Sequence, residues 1–276
     1  MENNSKSSQG PKKIESLKNI LKAPSVEEQF QNTLKENSGA FVASVIDLFN
    51  GDKNLQECEP KLLVMEALKA ATLKLPINKA LGFAHIVPYK TRSGTIPTFQ
   101  IGYKGYIQLA MRTAKYRIIN ADTVYDGELK QVRKLTGEID FSGEKKSDTI
   151  LGYFAHIEMV NGFAKTLYMT REAVIAHAKK YSRSYEYSSS AWQTDFDAMA
   201  KKTVIRNLLS HYGYLSVEMI GAIDTDIKAD TEERDNDVQN ATGSQEINIT
   251  DVEYEDLHTN GESSEPNPPN EAEPGF

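Results

Sequence analysis

No stretch of about 18 apolar residues occurs in the 276-residue sequence, so no membrane-spanning helix is predicted. The N-terminus "MENNSKSSQGPKKIES" lacks the apolar core of an export signal, which predicts a cytoplasmic protein. Cys58 is the single cysteine; it excludes an internal disulfide and a cysteine-rich zinc site, and reads as a packed thiol. The five histidines are scattered without HExxH or another metal spacing, and "KKT" has no upstream glycines, so it is not a phosphate-binding P-loop. No cofactor is expected.

Another absence is local. From Ala67 to Ala121 there is no Asp or Glu, while Lys69, Lys74, Lys79, Lys90, Arg92, Lys104, Arg112, Lys115 and Arg117 fall in the same span. The formal net charge of −7 conceals this. Of 32 Lys+Arg and 39 Asp+Glu, residues 221–276 hold 2 and 16, which leaves 30 and 23 in residues 1–220. A basic body with an acidic tail points to a polyanionic partner, because local field rather than net charge governs such binding.

The pattern predicts one α+β domain over 14–222, between an unstructured polar N-terminus over 1–13 and an acidic, unstructured tail over 223–276. Residues 14–58 read as helical, with two or three short helices before Gly51, Pro24 as a break and Ser25 as an N-cap. "PKLLVMEALKAATLKL" is a helix opened by Pro60, with Leu63, Ala67, Ala70 and Ala71 on one face. "GFAHIVPYK" and "PTFQIGYK" form a β-hairpin that carries Lys90 and Arg92 near its tip. "YRIINADTVY", "LKQVRKL", "EIDF" and the two runs around Asn161-Gly162 read as one antiparallel meander. Thr170 caps a following helix, and a helix from "AWQTDF" ends at Gly213.

Helix 104–116 carries the sharpest functional signal. Ile107, Ala110, Met111 and Ala114 give an apolar stripe; Lys104, Gln108, Arg112 and Lys115 fall within about an 80° sector beside it, a row that can follow phosphates. Tyr103 and Tyr106 flank Lys104 and offer flat surfaces for bases. In "MAKKTVIRNLL", Lys202 and Arg206 share a helix face and make the better phosphate pair, whereas Lys201 points about 100° away, toward a core edge or an ion pair. Asp195 and Asp197 lie on different faces of a helix start with no histidine nearby in sequence, which fits helix-start electrostatics; the alternative is a metal-dependent nuclease or strand-processing enzyme using both and a glutamate. "GYKG" superficially matches the GxxG loop of KH domains, but a strand before it and a helix after it do not suit that fold.

Together "LGFAHIVPY", "FQIGYKGYIQLAMRTAKY" and the later tryptophan followed by "FDAMAKKTVIRNLL" resemble the blocks of the RecT family of phage single-strand annealing recombinases, over about Val26 to Ala222. The resemblance implies a short antiparallel sheet with a β-hairpin and packed helices. It also implies ATP-independent binding of single-stranded DNA and of the annealed duplex by a homo-oligomeric ring or filament. A phage 5′-to-3′ exonuclease and the host single-strand-binding protein are the implied partners, and no catalysis is implied. By position it assigns Lys90, Arg92, Gln100, Tyr103, Lys104, Arg112, Lys115, Lys201, Lys202 and Arg206 to the DNA groove, with Tyr106 and Gln108 beside them. Phe30, Leu34, Phe41, Val45 and Leu48 are subunit-contact candidates, or equally core. Three readings of the tail stay open: a competing polyanion in the groove, a docking segment through "INITDVEYEDL", or a solubilising appendage.

Overall fold

The computed structural model describes residues 9–91 and 94–227. Five helices open the chain: α1 (Gln9–Leu21), α2 (Pro24–Leu34), α3 (Ser38–Gly51), α4 (Lys53–Glu57) and α5 (Pro60–Thr72). Pro24 is the first residue of α2 rather than a spacer, because a helix's first turn has no partner for the N–H that proline lacks; Ala23, not Ser25, precedes it as the cap. α1 begins five residues before the expected boundary at Ile14. The hub is α5, whose Leu63, Val64, Ala67, Ala70 and Ala71 are buried, the small alanines letting neighbours approach closely. Phe30, Phe41 and Val45 are buried inside the protomer, and Leu34 and Leu48 pack against this core. Internal packing therefore accounts for the five side chains named as subunit-contact candidates. Cys58 is also buried, and burial pushes its thiol up to about 11.

Strands β1 (Ala84–Thr91) and β2 (Gly94–Ile101) pair antiparallel from Ala84↔Ile101 to Thr91↔Gly94. Alternation puts Ala84, Ile86, Phe99 and Ile101 into the core and leaves His85, Val87, Tyr89 and Gln100 on the opposite face. Helix α6 (Tyr103–Arg112) follows at once. Its two glycines are required by close approach: a Cβ on Gly102 would stand 2.2 Å from the Gly82 carbonyl oxygen, and one on Gly105 would stand 2.1 Å from that of Phe83. Helix α6 is shorter than expected and turned differently. Gly105, Tyr106, Leu109 and Ala110 face inward, Met111 is 58% exposed, and the chain leaves the helix at Ala114, whose φ is +54°. Tyr106 and Leu109 bury more apolar surface than Met111 and Ala114 would, and that decides the face.

The expected single meander divides. β3 (Tyr116–Tyr125), β6 (Ile150–Met159) and β7 (Ala164–Thr170) form a sheet in the order β3-β6-β7, whereas β4 (Gln131–Arg133) and β5 (Glu138–Asp140) pair only with each other. The outlying hairpin exposes Val132 and Leu135 and lies beside β7 without pairing with it, with Phe141 just past β5 packed on Phe154 and Tyr168 of the larger sheet. Thr170 caps α7 (Arg171–Tyr181) through its Oγ1, which accepts from the Ala173 N–H at 3.1 Å. The last long helix comes in two pieces, α8 (Ala191–Thr194) and α9 (Phe196–Tyr212), separated at Asp195. α9 packs against α6 and the three-stranded sheet and is buried on most of its circumference.

A further helix, α10 (217–227), corrects the tail boundary set at residue 223. It buries Met219, Ala222, Ile223 and Asp226. Asp226 is 2% exposed. Its Oδ1 accepts from Lys202 Nζ at 2.9 Å and the Ile101 N–H at 3.3 Å; its Oδ2 accepts from Tyr106 Oη at 2.8 Å and Arg206 Nη1 at 3.1 Å. Burial alone would raise the carboxyl pKa, but the charges of Lys202 and Arg206, with the hydrogen bonds from Lys202 and Tyr106, outweigh it and hold the group below its ordinary value.

Asp226→Ala leaves two buried cations facing a void, and should cost about 3–5 kcal/mol in urea unfolding. Because the folded-state pKa is depressed, this stabilisation is complete above the unfolded value of about 3.9 and is lost as pH falls through the folded one. That acid limb should vanish in Asp226→Asn; an unchanged unfolding midpoint in both variants would contradict the role assigned to this carboxylate.

Candidate nucleic-acid interface

Between the outer face of the β1–β2 hairpin and the start of α9 runs a trough made of two adjoining cavities of about 500 and 400 Å³. Val87, Gln100, Ala191 and Met199 line both and form the passage between them. One wall comes from the hairpin and the first turn of α6. The other comes from α8, the first turns of α9 and the loop 182–190.

The smaller cavity is the more cationic. Lys79, Lys104, Lys201 and Lys202 contribute to its lining, with Tyr103 and His85 among them. Lys104 is exposed, and the Tyr103 ring lies between two ammonium groups, 6.0 Å from Lys104 Nζ and 5.9 Å from Lys201 Nζ. Three of these lysines already hold carboxylates: Lys79 sits 2.8 Å from Asp52, Lys201 sits 2.8 Å from Asp122, and Lys202 is turned onto Asp226. Burial alone would raise the Asp122 pKa, but the hydrogen bond and charge of Lys201 bring it below its ordinary value, and Lys201 is raised in turn. Burial and then the charges of Lys202 and Lys79 lower the His85 pKa, which favours the neutral ring.

Two acids share this end. Asp195 caps α9 by accepting from the Ala198 N–H at 3.3 Å, and Asp197 accepts from Tyr153 Oη at 2.5 Å, a bond that together with burial drives the phenol's pKa well up. Among the described residues no group of three or more His, Cys, Asp or Glu converges in metal-binding geometry.

The structure redistributes the sequence-predicted residues. Lys90, Gln100, Tyr103, Lys104 and Lys201 all line the trough, and Gln100 Nε2 donates to Tyr89 Oη at 2.7 Å. Arg92 lies outside the described residues. Lys202 and Arg206 are not an open phosphate pair, since both are turned onto Asp226 with side chains 7% and 11% exposed. Tyr106 is fully buried and offers no ring to a base. Arg112 donates to the Leu73 and Lys74 carbonyls at 2.6 and 2.8 Å, capping the end of α5. Lys115 lies past the end of α6, 5.6 Å from the Tyr214 ring, so the four-residue row on one helix face does not exist. Gln108 is half-buried and lines neither cavity.

Sequence reasoning missed Lys79, His85 and the exposed Tyr187, Ser188 and Ser189. Lys79 belongs to the acid-free span, which was a usable signal. His85 could have been found from strand alternation, because it shares a face with Val87 and lies opposite Gln100. Nothing local marks the serine-rich loop as a wall, since its position depends on where α8 packs.

The RecT family model matches residues 39–240, a span that omits α1 and α2 but includes α10 and Asp226. "Uncharacterized protein YqaK" of Bacillus subtilis (strain 168) is 44% identical over 232 residues, covering 84% of this chain and 78% of that protein. "Protein RecT" of Escherichia coli (strain K12) is 28% identical over 180 residues, covering 63% of this chain and 65% of that one, just under two thirds of its length. With most of its length inside the family model, the chain belongs to the RecT family.

Proposed function

We propose that this protein binds single-stranded DNA along the trough without ATP and pairs it with a complementary strand, working as an oligomeric ring or filament in phage recombination. Membership of the RecT family implies single-strand annealing in recombination, and proteins of this family are annealing proteins rather than enzymes. The observation that carries the reading to a place on this chain is the cationic wall itself. Lys79, Lys90 and Lys104 come from the acid-free span and line one continuous trough, with Lys201 joining them from α9.

The physical mechanism needs no reacting group. Ammonium groups hold the strand by its phosphates and release condensed counterions, a sequence-independent attraction. Identity is then read by base pairing between the strands. Weak contacts within each protomer act together when protomers assemble, so oligomerisation multiplies affinity without a new contact type. A 5′-to-3′ exonuclease that exposes single strands and a host single-strand-binding protein are the partners this activity calls for. The acidic tail beyond residue 227 lies outside the described residues; deleting 228–276 tests whether it competes for the trough or docks a partner.

Lys104→Ala should weaken binding to a single-stranded oligonucleotide and flatten the log-log salt dependence by about 0.7 for every phosphate no longer neutralised; Lys201→Ala should weaken it with a smaller change of slope, because Lys201 is already paired with Asp122. Arg112→Ala should instead lower the unfolding midpoint and leave that slope alone, because its guanidinium serves α5. Equal slopes in parent and both lysine variants would overturn this trough assignment.

Labelled complementary oligonucleotides incubated with the protein and Mg²⁺ or Mn²⁺ should anneal at full length. Shortening that disappears in Asp197→Ala would replace the annealing reading with a nuclease.

A further inference from the structure

The two halves of the trough differ in chemistry. The larger cavity is lined by Asn54, Tyr89, Gln100, Tyr187 and a set of serines; among the described side chains Lys90 is the one charged group that lines it. A phosphate-holding surface needs cations. An amide, several hydroxyls and two phenol rings suit an uncharged, flat, polar-edged group instead.

The serine-rich wall is ordered by its own hydrogen bonds and ring packing. Trp192 Nε1 donates to Ser182 Oγ at 3.0 Å, Ser190 Oγ donates to Ser184 Oγ at 3.1 Å, and the Tyr185 ring meets Trp192 edge-on at 5.9 Å. Those bonds use the inward-turned serines and leave Tyr187, Ser188 and Ser189 exposed, with Tyr187 at 55%. A ring presented on a fixed wall needs little ordering when it binds.

We propose that Tyr187, Ser188 and Ser189, facing Tyr89 and Gln100 across the larger cavity, form a nucleobase subsite for single-stranded DNA whose backbone lies at the cationic end. This rests on the trough being the strand's path. The cavities join at Val87, Gln100, Ala191 and Met199, so a strand held at Lys79, Lys104 and Lys201 can turn bases into the hydroxyl-rich half. Hydroxyls donate and accept alike, and a phenol ring stacks on any base, so the subsite takes bases without choosing among them. It sets how firmly the first strand is gripped before its complement competes for the same bases.

The test separates grip on the bases from grip on the phosphates. Fluorescence anisotropy would follow the full chain binding an unstructured single-stranded oligonucleotide, and a strand of equal length made of abasic sugars, across a range of salt. Tyr187→Ala should weaken binding of the intact strand by about five- to 150-fold, the range for removing one stacked ring, with its salt slope unchanged and its binding of the abasic strand unaltered. Tyr187→Phe should bind like the parent, since the ring is kept. An equal loss on both strands, a flattened slope, or no loss at all overturns the subsite while leaving the cationic end standing. If the parent's binding to both strands is independent of salt, the trough reading fails, and the subsite with it.

Discussion

One carboxylate decides how the centre of this molecule is assembled. Asp226 collects donors from β2, α6 and α9, and so fixes α10 against all three. The net worth of such a cluster is modest, because desolvating three charges offsets much of their attraction. Its value lies in what it forbids: any arrangement that moves α10 away takes from Lys202 and Arg206 the carboxylate they share. The carboxylate thereby sets register between segments 120 residues apart in the chain, the separation of Tyr106 from Asp226.

The same cluster determines which cations remain for the surface. With Lys202 and Arg206 turned inward and Arg112 committed to the end of α5, positive charge in the trough falls to Lys79, Lys90, Lys104 and Lys201, brought together from four separate segments. The placement of Lys104 depends on Gly102 and Gly105, since a side chain at either would meet the 82–83 backbone and push the start of α6 away from it. The field over the trough is therefore a property of packing as much as of composition.

Features with a local cause were legible in the sequence. The Asn161-Gly162 hairpin, the Thr170 cap, the Pro60 helix start and the end of α9 at Gly213 each follow from backbone preferences within a few residues. The acid-free span likewise showed that one region was basic. What a sequence displays of a lysine, however, is its charge and not its neighbour. Lys202 and Arg206 looked like a pair on one helix face, which they are, but the face meets Asp226, a residue that composition had placed in a solvated acidic tail. The α6 wheel was half right: Ile107 and Ala110 do meet the core, but Met111 is as apolar as Leu109, and only the shape of the surface opposite selects between them. The split of the meander had no local signal, because β4 and β5 satisfy their strand pattern with each other.

Lys79 and Lys201 are not bare cations; each holds a carboxylate belonging to the same chain, Asp52 and Asp122. A phosphate that takes over either lysine exchanges one fixed anion for another, and the displaced carboxylate is left to gather sodium or potassium from solution. Part of the cation release that accompanies DNA binding is then cancelled inside the protein. A strand gripped here would touch more lysines than its sensitivity to salt reveals, and its hold would weaken less than a bare row of lysines predicts as the ionic strength of the cell rises.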